Sequence, residues 1–76
     1  MKYAVRLNAV CELCGVNHGF LTHQHRIIIA DKASLPIMER FLKFQYNIVE
    51  VTDKDLGRFE REQIGIVDFV ELLKLL

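Results

Sequence analysis

The two cysteines and three histidines of the chain all lie between positions 11 and 25. Two residues separate Cys11 from Cys14, a spacing that lets both sulfurs reach one tetrahedral metal ion. Imidazole nitrogens complete such sites in proteins, and His18, His23 and His25 follow within eleven positions of Cys14. These residue types and spacings predict a zinc site in the first third of the sequence.

The choice of histidine ligands depends on the structure of the segment that carries them. If residues 22–30 form a strand, His23 and His25 project to the same face. A preceding strand that ends near Cys11 would bring the first thiol beside them. We therefore predict that zinc is bound by Cys11, Cys14, His23 and His25. His18 is a competing ligand, which would act together with His23.

Two other roles for these residues remain open. The thiols can be small buried apolar groups, and the histidines can be hydrogen-bonded side chains without a metal. A redox-active dithiol is the third alternative. It is the least favoured one, because no helix is predicted to begin directly after Cys14 and lower a thiol pKa.

The cysteine and histidine spacing is similar to that of the retroviral-type zinc knuckle. The pattern Cys-x2-Cys-x3-His-x4-His runs from Cys11 to His23, with a loop one residue shorter than in a knuckle and His in place of the last Cys. Knuckles bind single-stranded nucleic acid through aromatic and basic residues, and Phe20 and Arg26 are the nearby residues of these types. The resemblance implies a nucleic-acid-binding module.

A second resemblance covers the same segment. The stretch from Cys11 to Gly15, followed by residues 20–25, resembles the opening of an HNH nuclease. In that family one histidine is the general base, and a downstream His or Asn completes the metal site. The resemblance implies a metal-dependent nuclease with His23 or His25 as the base, although no histidine follows His25 in this chain.

The residues around the cluster are predicted to form a β-hairpin. Residues 2–10 alternate between apolar and polar side chains, which is typical of a half-buried strand. Residues 22–30, with Ile27, Ile28 and Ile29 at their centre, predict a second strand because β-branched residues favour a pleated surface. The predicted zinc site would then staple the loop between the two strands.

The rest of the chain is predicted to be a helix, a strand, an uncertain segment and a second helix. Ser34 as N-cap and Pro36 in the first turn begin a helix that ends near Asn47. The later elements are a strand over 48–52 and a turn over 53–57. A charged segment over 58–63 follows, which is either an exposed helical turn or an edge strand, and then a strand-like run over 64–67 and a helix from 69 to about 74. The order β-β-α-β-(uncertain)-α predicts one small α+β domain, residues 1–76, with a small sheet and helices on one face.

Length and composition restrict the class of protein. A chain of 76 residues has a thin core, so a bound metal or a partner chain would add needed stability. Ten basic and ten acidic residues cancel, which disfavours a general nucleic-acid coat protein. No apolar run approaches the roughly 20 residues of a membrane span, and the N-terminus lacks a signal-peptide pattern. We therefore expect a cytoplasmic protein without a membrane partner.

The predicted C-terminal helix is apolar on more than one face, which indicates an interface. We expect Val70 and Leu73 to pack on the sheet. Phe69, Leu72 and Leu76 would then face outward and bind a protein partner or a second copy of the chain.

These observations predict a small intracellular zinc-stabilised module that binds or regulates another protein, as an inhibitor or adaptor does. No acid–base or nucleophile constellation stands out elsewhere in the sequence, so we expect no catalytic residues. An HNH-like metal-dependent nuclease and a single-stranded nucleic-acid-binding zinc knuckle are the alternatives.

Overall fold

The computed structural model, which describes residues 1–41 and 47–75, has an α+β fold of four strands and three helices in those residues. The strands are β1 (Lys2–Arg6), β2 (Arg26–Asp31), β3 (Asn47–Val51) and β4 (Gly65–Asp68). The helices are α1 (Leu35–Phe41), α2 (Asp53–Arg61) and α3 (Phe69–Lys74), and a 3-10 turn over Lys32–Ser34 precedes α1. The predicted α+β fold class is confirmed. None of the helices in the described residues is long and apolar enough to cross a membrane.

The four strands form one mixed sheet in the order β3-β1-β2-β4. β1 is antiparallel to both neighbours, with Tyr3 opposite Ala30 of β2 and Glu50 of β3. β4 runs parallel to β2, with Ile27 opposite Ile66. The first two strands are therefore antiparallel neighbours, as predicted, and the cysteines and histidines all lie in the connection between them.

The connection between β1 and β2 returns to the sheet before β2 begins. The two strands pair directly only as far as Ala4 and Ile29. Beyond that point, Leu21 lies between them: its N–H donates to the Val5 carbonyl at 2.7 Å, and its carbonyl accepts from the Ile28 N–H at 3.3 Å. The segment with the cysteines is thus anchored at both ends and projects from one end of the sheet.

Helices cover both faces of this sheet. Ala4 and Val5 are neighbours on β1, point to opposite faces, and are both fully buried. Ala4 packs in a cluster with Phe59 of α2, whereas Val5 packs in a cluster with Met38 of α1 and residues of α3. The prediction of helices on one face is corrected here, because the segment left undefined in the sequence contributes a helix of its own.

That additional helix, α2, begins at a capping box. Thr52 Oγ1 accepts from the Asp55 N–H at 3.2 Å, and Asp55 Oδ2 accepts from the Thr52 N–H at 3.2 Å. These two hydrogen bonds satisfy backbone donors that a helix start leaves unpaired. The turn predicted over 53–57 is therefore the first half of a helix, and Gly57 lies inside it.

The helix predicted from Ser34 to Asn47 is observed in its first part. Ser34 belongs to the 3-10 turn, and its N–H donates to Asp31 Oδ1 at 3.0 Å, so Asp31 is the cap in place of Ser34. α1 follows over Leu35–Phe41, and the rest of the predicted helix lies outside the described residues. β3 then begins at Asn47, one residue before the predicted strand.

The C-terminal helix packs against the sheet with the face that was predicted to point outward. Phe69 and Leu72 are buried, at 4% and 9% exposure, in the cluster around Met38. Leu73 is half-buried and packs against the same cluster, as predicted, and Val70 is half-buried. The reason is that α3 follows β4 directly, which turns positions 69 and 72 toward the sheet. The outward orientation predicted for Phe69 and Leu72 is corrected, and Leu76 lies outside the described residues.

Candidate metal centre

Four side chains converge at the end of the sheet where the β1–β2 connection projects. One ligand atom from each of Cys11, Cys14, His18 and His25 lies within 4.8 Å of the other three. The Cys11 Sγ to His25 Nδ1 distance is 3.5 Å, and the Cys14 Sγ to His18 Nε2 distance is 3.2 Å. A tetrahedral zinc ion bound at about 2.3 Å by sulfur and about 2.0–2.1 Å by nitrogen would place such atoms about 3.6 Å apart. The two sulfur–nitrogen distances and the donor types are consistent with a zinc site.

The two thiols are held by a compact turn. The Gly15 N–H donates to the Cys11 carbonyl at 2.9 Å, and the Cys11 N–H donates to the Val16 carbonyl at 2.8 Å. Gly15 takes a positive φ of 71°, which glycine adopts without steric cost. Both cysteines are free, with Cys11 buried and Cys14 exposed. The predicted Cys-x-x-Cys turn therefore presents both sulfurs to the same point.

His18 reaches the cluster because the chain reverses around it. The Gly19 N–H donates to Asn17 Oδ1 at 2.9 Å, and Gly19 takes a positive φ of 81°. This local turn directs the imidazole inward, where the whole residue is only 2% exposed. A buried polar ring requires hydrogen-bond partners, and His18 has one at each nitrogen. The competing ligand of the sequence prediction is thus part of the cluster.

His23 lies outside the four-residue cluster, unlike the prediction. His23 and Arg26 exchange two backbone hydrogen bonds, at 2.9 and 3.1 Å, which close a two-residue turn. Gln24 and His25 occupy its centre with φ values of 51° and 61°, the pattern of a type I′ turn. Because a turn replaces the predicted strand, His23 and His25 do not share a face. His23 is exposed, and His25 lies beside Cys11.

The close contact between Cys11 and His25 shifts the pKa of both groups. The His25 side chain lowers the pKa of the Cys11 thiol to about 6, assisted by the backbone of Cys14 and Leu13 and opposed by burial. The Cys11 side chain in turn raises the pKa of His25, and the Gln63 backbone acts in the same direction. Metal binding requires the thiolate of Cys11 together with the neutral ring of His25, so an ion bound here would displace the proton that the two side chains share.

Arg58 of α2 and Glu62, the C-cap residue that follows this helix, contact the cluster from outside. His18 Nδ1 donates to Glu62 Oε2 at 2.6 Å, and Arg58 donates through Nη2 to the His18 carbonyl at 2.7 Å. Neither residue was predicted, because they follow His18 by 44 and 40 positions and have no metal-ligand spacing. The only local signal is the i,i+4 pairing of Arg58 with Glu62 on one helix face.

Comparisons of the chain with protein-family models, with curated proteins and with solved structures found no match. Two thiolates and two neutral imidazoles form the Cys2His2 donor set that zinc binds in structural sites. These four residues can hold a metal ion, and the donor types are consistent with zinc.

Proposed function

We propose that the chain is a small zinc-stapled module that binds or regulates another protein. The observation that carries the proposal is the convergence of Cys11, Cys14, His18 and His25 on one point. The four ligands come from a long connection between two strands, and α2 supports one of them from the other half of the chain. A metal ion there would close the β1–β2 connection on itself, and the His18–Glu62 hydrogen bond would link that closed connection to the end of α2.

A structural role for the metal is favoured over a catalytic one. Four protein ligands fill the coordination sphere of a tetrahedral zinc ion, whereas catalytic zinc keeps one position for water or substrate. An HNH-like nuclease would need that open position. The donor set therefore supports a staple, which a domain of this size needs because its core is thin.

The segment that carries the ligands also supports binding of a protein partner. Val10, Leu13 and Val16 lie in it and are 64%, 70% and 46% exposed. Three large apolar side chains on a short loop are costly to leave in water, and exposed apolar groups of this kind are common at protein interfaces. We call these three residues the apolar loop surface. Its apolar character favours a protein partner over single-stranded nucleic acid.

The chemistry of the ligands also suggests where such a module works. Two thiolates that bind a metal must remain reduced, and the cytoplasm keeps thiols reduced whereas secreted proteins form disulfides. We therefore propose a cytoplasmic location for the protein.

Thermal unfolding in the presence of a zinc chelator tests the staple. Because metal binding contributes directly to folding, removing zinc should lower the Tm of the wild-type chain and of the His23→Ala variant. Cys11→Ser should already melt at the lower temperature and should not respond to the chelator. A wild-type Tm that is identical with and without chelator would overturn the proposed role of the metal.

Affinity capture with matched surface variants tests the binding function. The zinc-loaded wild type is compared with Leu13→Ser and with Leu75→Ser, which changes a similarly exposed leucine (75%) on a different element. A protein bound stoichiometrically by the wild type and by Leu75→Ser, but lost with Leu13→Ser, supports the module. Binding that does not depend on Leu13 contradicts a role for the apolar loop surface.

A further inference from the structure

Glu62 holds the buried ring of His18 from the side opposite the cysteines. The distance from His18 Nδ1 to Glu62 Oε2 is 2.6 Å, which is short for a nitrogen–oxygen hydrogen bond. The His18 side chain is 1% exposed and that of Glu62 is 27% exposed. Water therefore has little access to the ring, and Glu62 is the group that satisfies its Nδ1.

This hydrogen bond determines which nitrogen of His18 is free. An ionised carboxylate only accepts hydrogen bonds, so the proton of a neutral His18 ring lies on Nδ1. The lone pair of the ring is then on Nε2, the nitrogen that lies 3.2 Å from Cys14 Sγ. A metal-binding histidine commonly donates its second ring nitrogen to a carboxylate in this way, which fixes its tautomer and its orientation.

The carboxylate is itself held in place by the end of α2. The Ile64 N–H donates to the Phe59 carbonyl at 3.0 Å, and the Gln63 N–H donates to the Glu60 carbonyl at 3.1 Å, which closes the helix with a Schellman motif. Phe59 is buried in the core, so the last turn of the helix cannot shift freely. The position of Glu62 is thus determined by packing that is independent of the cysteines.

Arg58, one turn earlier on α2, contacts both partners of this hydrogen bond. Its Nε lies 3.8 Å from Glu62 Oε1, and its Nη2 donates to the His18 carbonyl at 2.7 Å. One helix turn therefore holds the backbone of His18 through Arg58 and the ring through Glu62.

We infer that Glu62 is a positioning residue of the metal centre, which presents His18 Nε2 to the ion. The inference rests on the proposed metal site and assigns a role to a residue that does not touch the ion. Zinc affinity then depends on the C-terminal turn of α2, because His18 is oriented for binding only while Glu62 accepts the hydrogen bond from Nδ1.

Three substitutions separate positioning from a general structural effect. Glu62→Ala removes the acceptor and should weaken zinc binding by about 10–100-fold. Glu62→Gln keeps an oxygen that can accept from Nδ1, so it should restore much of that affinity although the charge is lost. Glu60→Ala changes an exposed glutamate of the same helix and should bind zinc as the wild type does. Affinity is measured by competition with a chromophoric zinc chelator.

Nitrogen NMR of the zinc-loaded proteins shows which ring nitrogen of His18 carries the proton and which binds the metal. A purely structural role of Glu62 would leave this pattern unchanged. The wild type should show His18 with metal on Nε2 and a proton on Nδ1. Glu62→Ala should show a loss or mixture of that pattern, and Glu62→Gln should recover it.

The outcomes distinguish the inference from the proposed function. If the wild type binds no zinc, the proposed metal site is wrong, and the positioning role of Glu62 is wrong as well. If the wild type binds zinc and Glu62→Ala keeps both the affinity and the His18 pattern, the metal site stands and the inference is overturned.

Discussion

The two imidazoles of the cluster present different nitrogens to the same point. His18 turns Nε2 toward Cys14 because its Nδ1 donates to Glu62. His25 turns Nδ1 toward Cys11 from the centre of a tight turn. In a histidine side chain, Nε2 lies farther from the backbone than Nδ1. Two histidines whose backbones lie at different distances from the metal position can therefore both bind there.

A different residue, Asp31, gives a prediction for the pH dependence of stability. The Ser34 side chain and backbone hold the pKa of the Asp31 carboxyl below its usual value. A carboxyl with a lowered folded-state pKa stabilises the fold at pH values above its unfolded pKa of about 3.9, and this contribution is lost as the pH falls through the folded-state pKa. Asp31→Asn, which has no charge at any pH, should therefore be less stable than the wild type at pH 7.

The difference in the free energy of unfolding between wild type and Asp31→Asn should shrink once the pH falls below about 4. Urea unfolding at a series of pH values measures this difference. Glu39→Gln, at an exposed position on α1, is the control and should show no comparable trend. A constant difference between wild type and Asp31→Asn from pH 7 to pH 2 would contradict the contribution of the ionised Asp31 carboxylate to stability.

At the residue scale, the sequence indicated the kind of chemistry better than the set of residues. The Cys-x-x-Cys spacing is a local signal, so it predicts both sulfur positions. The histidine assignment required the backbone from Thr22 to Arg26, and a two-residue turn without glycine or asparagine has no strong sequence signal. Glu62 was beyond prediction because only the packing of α2 on the sheet brings it to His18.

At the scale of elements, α2 connects the metal centre to the core. Its buried Phe59 packs on the sheet, and its last turn contacts His18. Its capping box uses Asp55 where Glu or Gln is more common, and Gly57 interrupts the helical pattern. These two features explain why the segment suggested a turn in the sequence, although the fold makes it a helix.

Gly57 offers a test of this helix. An alanine Cβ at this position would meet Arg61 Nη1 at 3.6 Å, an ordinary contact with the end of a flexible side chain. Gly57→Ala should therefore raise the free energy of unfolding by about 0.4–1 kcal/mol, because alanine loses less backbone entropy on folding. Urea denaturation measures the change.

Gly19→Ala is the matched control for that substitution. Its Cβ would also meet only an arginine side-chain atom, at 3.8 Å, but its φ of 81° is unfavourable for alanine. This variant should lose roughly 1–2 kcal/mol of stability. If Gly57→Ala lowers stability as Gly19→Ala does, the assignment of Gly57 to a helix interior is wrong.

For the whole molecule, the sheet has two apolar faces and each face has its own core. The first core contains Ala4 and Phe59, and the second contains Val5, Met38 and Leu72. The metal centre is connected to the first core by α2, which packs in that core and contacts His18. The alternating pattern of the first strand predicted one buried face of the sheet. Ala4 and Ile28, which belong to different cores, are both buried, so both faces are covered, one of them by α2.

Leu72 distinguishes a core position from an interface position on α3. Leu72→Ala should cost about 2–5 kcal/mol in the free energy of unfolding, because it leaves a cavity in the second core. Leu75→Ala, at a position 75% exposed, should stay within about 0.5 kcal/mol of the wild type. If the two variants are equally stable and light scattering shows that Leu72→Ala dissociates a dimer, then Leu72 is an interface residue and its assignment to the core is wrong.

The central claim, that Cys11, Cys14, His18 and His25 bind zinc, is tested most directly by elemental analysis of protein purified under reducing conditions. The wild type and His23→Ala should contain about one zinc ion per chain, because their four ligands are intact. His18→Ala should lose most of it. A wild type without stoichiometric zinc, or loss of zinc with His23→Ala and retention with His18→Ala, would contradict the account.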